Sequence, residues 1–256
     1  MSNPSTTVVG RTVSPPRTPD AQRKYGLHAA ATSDVLELLS RVLEPQRRIV
    51  HAGELIFRTG DEFRSLHIMN TGFVKVVKPA ADGREQLVGL KFRGDWKGFD
   101  GIADGFHGCD AVAMDTGEIW SVRYDAFMAA CALQPRLYGN LVEAMSRELG
   151  HDRQSLMAIC TLPADARVAN FLHDWTDSAG KRGLRTDQIT LRLSRAEIGN
   201  YLGLTLESVS RAFSKLARTK VIGFVDKGRR DVRIPDIQAL AAFVQQALSP
   251  ELVPLH

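Results

Sequence analysis

The sequence predicts an α+β chain: an N-terminal antiparallel β-roll, one long helix, and a C-terminal winged helix-turn-helix. Three observations predict it. Short apolar runs separated by glycine turns fill residues 49 to 124. An amphipathic stretch of helical period follows Pro135. A helix-turn-helix spacing then lies inside a basic C-terminal segment.

The elements follow in order. Asp34 to Leu43 has apolar residues at 35, 36, 38, 39, 42 and 43, a helical stripe that Ser33 or Asp34 can cap and Pro45 ends. From Ile49 to about Tyr124 the runs ELIF, SLHIM, FVKVV, QLVGLKF and EIWSV read as strands. Gly53, Gly60-Asp61, Thr71-Gly72, Asp82-Gly83 and Gly94-Asp95 mark the turns between them. Strands and helices do not alternate, which argues against a dinucleotide-binding fold and for a sandwich or barrel. Asp125 onward is helical.

Pro135 opens a helix that runs to about Cys160. Leu141, Met145, Leu149, Asp152, Leu156 and Ile159 recur along it at spacings of four and three. That is a coiled-coil-like seam, and it predicts a homodimer. The alternative is a helix packed on its own domain. After Leu162-Pro163, Ala164 to Asp177 is amphipathic, and Asp236 to Leu248 forms a last helix. The implied units are a tail over 1–28, a β-roll domain over 29–134, a dimerisation helix over 135–160 and a C-terminal domain over 161–256. The tail is rich in Ser, Thr and Pro and reads as disordered, a docking arm being the alternative.

Charge points to the C-terminal domain. The whole chain of 256 residues carries 33 Lys and Arg against 29 Asp and Glu, a net of +4. Cys160 to Pro235 alone holds 14 basic and 8 acidic residues, a net of +6, so the remainder is at −2. Within this segment, Arg195 to Phe213 reads as helix, tight turn, helix. Ile198 and Leu202 form the inner face of the first helix. Gly199 permits a close crossing, and Gly203 takes the turn. Leu204 fills the gap, Thr205 caps the second helix, and Val209 and Ala212 face inward. The second helix exposes Glu207, Ser210 and Arg211 near its start, the part of such a helix that enters the major groove. Arg can bond guanine at O6 and N7, Glu can accept from cytosine N4, and Ser can reach a base or phosphate. A Glu207–Arg211 pair at i, i+4 is the competing account of these charges. Arg195, Thr205, Lys215 and Arg218 suit the DNA backbone. Val221 to Ile234 reads as a hairpin, a wing whose turn near Lys227-Gly228 brings Arg229 and Arg230 to the backbone as well.

A β-roll, a long helix and a winged helix-turn-helix in this order resemble the Crp/Fnr transcription regulators, over roughly residues 34 to 248. The stretch IGNYLGLTLESVSR, 198 to 211, is similar to the Fnr branch, as is Gly94-Asp-Trp-Lys-Gly-Phe-Asp100. The resemblance implies a jelly roll like that of cyclic-nucleotide-binding domains. It implies that Glu207, Ser210 and Arg211 read a TTGAT…ATCAA type inverted repeat. It further implies an activator of anaerobic, respiratory or redox genes that contacts RNA polymerase.

Two departures bear on the signal. Cyclic-nucleotide-binding relatives carry a glutamate where this chain has Phe99, and an Arg-Ser or Arg-Thr pair where it has Cys109-Asp110. An acid there repels a phosphate, which argues against cyclic AMP. Oxygen-sensing relatives hold a [4Fe–4S] cluster on an N-terminal cysteine group and one β-roll cysteine. This tail has no cysteine and the β-roll position is Trp120, so that cluster is not expected. Cys109, Cys131 and Cys160 match no disulfide framework or zinc motif. The histidines lack metal-type spacing. His67 reads as a sheet residue, with a haem ligand as the second reading; a haem- or nitric-oxide-responsive regulator is thus the alternative within the fold. Cys109 or Cys160 could be redox-sensitive. Asp152, on the seam, would face its symmetry mate and keep a dimer marginal.

No Ser/His/Asp set, phosphate loop or carboxylate pair stands out, so neither an enzyme nor a catalytic residue is predicted. No apolar run reaches the ~20 residues of a membrane span. A cytoplasmic, homodimeric regulator of double-stranded DNA is expected.

Overall fold

The structure, a computed structural model, describes residues 32–225, 228 and 230–248. The tail over 1–28, Lys227 and Arg229 lie outside the described residues. The described residues form one compact unit.

Helix α1 (Thr32–Val42) precedes the β-roll. Its strands are β1 (Gln46–Val50), β2 (Leu55–Phe57), β3 (Ser65–Thr71), β4 (Val74–Pro79), β5 (Glu85–Lys91), β6 (Trp96–Lys97), β7 (Asp110–Ala113) and β8 (Gly117–Arg123). They form two antiparallel sheets of four strands, ordered β1-β8-β3-β6 and β2-β7-β4-β5. Alternation of side chains sends Val50, Phe57, Met69, Val74, Ala111 and Ile119 inward between the sheets. All five strand runs read from the sequence are present. β1, β6 and β7 escaped it. QRRIV leads with charge, and its first four residues are exposed; β6 spans two residues and β7 four.

Helices α2 (Tyr124–Leu133) and α3 (Pro135–Thr161) follow, with Pro135 at the first turn of α3. The C-terminal part contains α4 (Ala164–Gly180), β9 (Gln188–Thr190), α5 (Arg195–Leu202), α6 (Leu206–Arg218), β10 (Gly223–Phe224), β11 (Asp231–Arg233) and α7 (Ile237–Leu248). The expected hairpin is β10–β11, and β9 extends it to a three-stranded sheet.

The seam on α3 differs from the sequence reading at its start. Leu141 is 3% exposed and packs in the core of its own chain with Leu137. The exposed stripe instead runs through Tyr138, Val142, Met145, Leu149, Asp152 and Leu156. One residue moves because α3 has two apolar faces there, and Leu137 and Leu141 are buried in the chain's own core. Ile159 is half-buried.

The second face of α3 and the helices after it do not stand apart from the β-roll. Phe73 and Phe92 of the roll pack on Trp175 of α4, at ring centroid distances of 5.7 and 5.2 Å. Val77 and Leu87 join the same core as Phe171, Trp175 and Ile198. Lys91, 9% exposed, pairs with Glu148 of α3. Arg182 pairs with Asp95 and donates to the Arg93 carbonyl (2.7 Å).

Candidate nucleic-acid interface

Local chemistry makes both helices of the motif. Ser194 caps α5: its hydroxyl accepts from Glu197 N–H (3.2 Å), and Glu197 returns a bond to Ser194 N–H (2.8 Å). This capping box satisfies two otherwise free donors at the helix start. The same carboxylate also pairs with Lys75 of β4 (2.6 Å). Lys75, the Ser194 N–H and the Ser194 hydroxyl together outweigh burial and hold the Glu197 carboxyl below its usual range.

Gly203 closes α5 with φ +64°, a conformation that strains any residue with a Cβ. Gly199 has a different duty from the one its spacing suggested. A Cβ on it would lie 2.6 Å from the Leu204 carbonyl oxygen, so it makes room for the turn rather than for the second helix itself. Thr205 then caps α6, accepting from Ser208 N–H at 3.2 Å. Val209, Ala212, Phe213 and Leu216 bury one face of α6.

The opposite face of α6 is open. Glu207 and Arg211 are exposed and Ser210 is half-buried. Arg211 donates to the Ser208 hydroxyl (3.3 Å), which accepts in turn from the Thr205 hydroxyl (3.1 Å). The i, i+4 pairing with Glu207 is therefore not the contact that orients Arg211. Glu207 sits at the start of α6, where its own N–H, the Thr205 hydroxyl and the charge of Arg211 keep its carboxyl below the usual range.

The residues assigned to the DNA backbone have varied surroundings. Arg195 lies half-buried over the Phe213 ring, 3.4 Å from its centroid. Thr205 engages Ser208 and Glu207 with its hydroxyl. Lys215 is paired with Asp165 at the start of α4. Arg218 is exposed at the end of α6, and Arg230 is exposed where its carbonyl accepts from Leu191 N–H (2.9 Å).

Sequence reasoning missed three residues that place this motif. They are Glu197, whose S-x-x-E signature is legible before α5; Asn200, which bonds β5; and Asp165. The last two carry no sequence signal, because their partners lie far away in the chain.

The β-roll positions that depart from cyclic-nucleotide binders are also visible. Phe99 begins a single 3-10 turn over Phe99–Gly101. Asp110 accepts from Thr59 N–H (2.6 Å). Lys97 is 4% exposed, and burial, reinforced by neighbouring Lys91, lowers its pKa well below the usual value. Burial, then Asp100, pushes the Cys109 thiol up, which disfavours a reactive thiolate. Trp120 is buried beneath the Arg47 guanidinium, 4.5 Å from the ring centroid. His67 bonds the Ser121 hydroxyl (2.8 Å) and stacks on Phe57. Among the described residues no three His, Cys, Asp or Glu side chains converge as metal ligands. No described helix is long and apolar enough to cross a membrane.

Two family models match the chain: the cyclic nucleotide-binding domain over residues 47–134 and the Crp-like helix-turn-helix domain over residues 166–243. The chain is 31% identical over 201 residues to the transcriptional activator protein FnrA of Stutzerimonas stutzeri, covering 78% of this chain and 81% of that one. It is 28% identical over 192 residues to the fumarate and nitrate reduction regulatory protein of Escherichia coli (strain K12), covering 75% and 76%. Among solved structures, FixK2 from Bradyrhizobium japonicum superposes with a TM-score of 0.69 at 26% identity, over 78% of this chain and 97% of that one.

Proposed function

Because the chain belongs to the Crp/Fnr family of DNA-binding transcription regulators, we propose that it binds a TTGAT…ATCAA-like inverted repeat as a homodimer and activates anaerobic, respiratory or redox genes. The observation that carries this reading is the open face of α6. Glu207 and Arg211 stand exposed beside Ser210 at the start of a helix whose cap and buried face are complete. Arg211 bonds guanine, Glu207 accepts from cytosine, and Ser210 reaches a base or phosphate. Arg195, Thr205, Lys215, Arg218, Arg229 and Arg230 serve the backbone. The match to relatives named for fumarate and nitrate reduction supports the choice of target genes.

The dimer forms along Val142, Met145, Leu149 and Leu156 of α3, an apolar stripe that one chain leaves in water. Two-fold symmetry then matches the inverted repeat, with recognition helices about 34 Å apart. The protein acts in the cytoplasm and engages RNA polymerase.

The signal is neither cyclic AMP nor a four-thiolate cluster. Phe99 and Asp110 offer nothing to a ribose or a cyclic phosphate. Cys109, Cys131 and Cys160 belong to three separate segments, the tail has no cysteine, and Trp120 fills the β-roll position. The Ser121 bond and Phe57 stack support His67 as a sheet residue rather than a haem ligand.

A gel shift on a TTGAT…ATCAA duplex against a scrambled one tests the reading. A preference for the repeat supports it, and equal retention of both overturns it. Absorbance of protein purified from oxygen-limited cells tests the signal: a Soret band would restore haem.

A further inference from the structure

We propose that Asp165 is an internal counter-charge for the DNA-contacting Lys215, holding it in the place a phosphate takes and limiting the affinity of the protein for any duplex. The inference rests on the reading of Lys215 as a backbone contact.

The geometry is specific. Asp165 is the second residue of α4, and one carboxylate oxygen accepts from Ala166 N–H (3.0 Å) at the helix start. An acid there suits the helix dipole. That accounts for one oxygen only. The other pairs with the Lys215 ammonium, 50 residues along the chain and on the DNA-facing helix. The Phe243 ring, 5.7 Å away, flanks the same ammonium. Asp165 and Lys215 line a cleft of about 220 Å³ with Ala164, Ser208, Arg211 and Ala212. One wall of the cleft thus belongs to α4 and the other to the helix that carries Arg211. Asp165 is the sole acid among these lining residues, beside two cations and a hydroxyl.

Counterion release gives the consequence. A free lysine that meets a phosphate releases about 0.9 of a condensed cation, which strengthens binding as salt falls. A lysine already neutralised by an acid gains no such release. When it exchanges Asp165 for a phosphate, it leaves a carboxylate beside the DNA that must recruit a cation. The site is electrically silent, and the protein gives up non-specific affinity there. Phosphates carry no sequence information, so the effect is the same on every duplex.

The test is fluorescence anisotropy of Asp165→Asn and Lys215→Gln with the TTGAT…ATCAA duplex and a scrambled duplex, across a potassium chloride series. Asparagine can still accept from Ala166 N–H at the helix start; Asp165→Ser, whose hydroxyl can accept there too, serves if the first variant melts early. Asp165→Asn is expected to tighten both duplexes by one common factor and to steepen the salt slope by about 0.9, a gain of about eightfold at 0.1 M relative to 1 M salt. Unchanged binding overturns the proposal. So does weakened binding, which would make Asp165 a positioning group for Lys215. So does tightening confined to the specific duplex. Lys215→Gln in the Asp165→Asn background reports separately: if it leaves both duplexes and the slope as they are in Asp165→Asn, the backbone reading itself fails.

Discussion

The Asn200 side chain accepts a hydrogen bond from Leu87 N–H at 2.5 Å and donates one to the Glu85 carbonyl at 2.8 Å. One side-chain amide thus takes the place of a neighbouring strand along β5, which is an edge strand. Gln86 closes the contact by donating to the Asn200 carbonyl at 2.5 Å. Asn200 belongs to the first helix of the DNA-binding motif, so the backbone of the β-roll directly holds that helix.

Asn200→Ala therefore leaves the Leu87 N–H without its acceptor, at a cost of about 1–3 kcal/mol. Hydrogen exchange at Leu87 should quicken about fivefold or more, while exchange in β3 and β8 is unchanged. Asn200→Asp keeps the acceptor and should protect Leu87 better than alanine does. Unaltered exchange in Asn200→Ala would show that the contact is idle in solution.

Base reading makes an asymmetric prediction. Arg211→Ala should lose about 1–3 kcal/mol on the specific duplex and little on a scrambled one. Equal losses on both duplexes would reassign Arg211 to the backbone. Ser208→Ala removes the hydroxyl that orients Arg211 and should cause a smaller loss of the same kind.

The dimer face and the core face of α3 should separate cleanly. Leu149→Glu places a charge on the exposed stripe and should yield folded monomers whose melting temperature falls only by the stability that association supplied and no longer depends on protein concentration. Leu141→Glu buries a charge in the chain's own core and should lower the melting temperature strongly. Sedimentation and thermal melts distinguish the two; a dimer that survives Leu149→Glu would place the interface elsewhere. Asp152→Ala should tighten the dimer, because it removes like charges near the axis; an unchanged dissociation constant would put Asp152 outside the interface.

His67 should tie stability to pH. Burial, then His107 and Arg48, lowers its pKa from 6.5 to about 4. Between those values the unfolded chain binds the extra proton, so this contribution is complete above pH 6.5 and is lost as pH falls toward 4. The full span amounts to about 3 kcal/mol. Denaturant melts of the wild type should weaken across that window, and those of His67→Gln should weaken less. Parallel pH profiles for the two proteins would return His67 to an ordinary solvated histidine.

The helix-turn-helix was legible residue by residue because its signals are local. Gly203 must take a positive φ, Thr205 must cap, and Ile198, Leu202, Val209 and Ala212 repeat at helical spacing. The β-roll was legible as strands, with only the charged or short β1, β6 and β7 escaping. The seam was legible as a period but not as a phase, since Leu141 and Val142 are equally apolar. Only burial in the chain's own core decides which of the two stays in water.

The order of the longer elements, their type and the residue types on the open face of α6 were thus determined by the sequence itself, because each depends on residues within a few positions of one another. Tertiary structure alone decided where the C-terminal domain rests and which of its charges are available. Asn200 meets β5 across more than a hundred residues. Glu197 meets Lys75, and Asp165 neutralises Lys215, only because separate elements converge. A side chain's charge is written in the sequence, but its partner is set by distance in space.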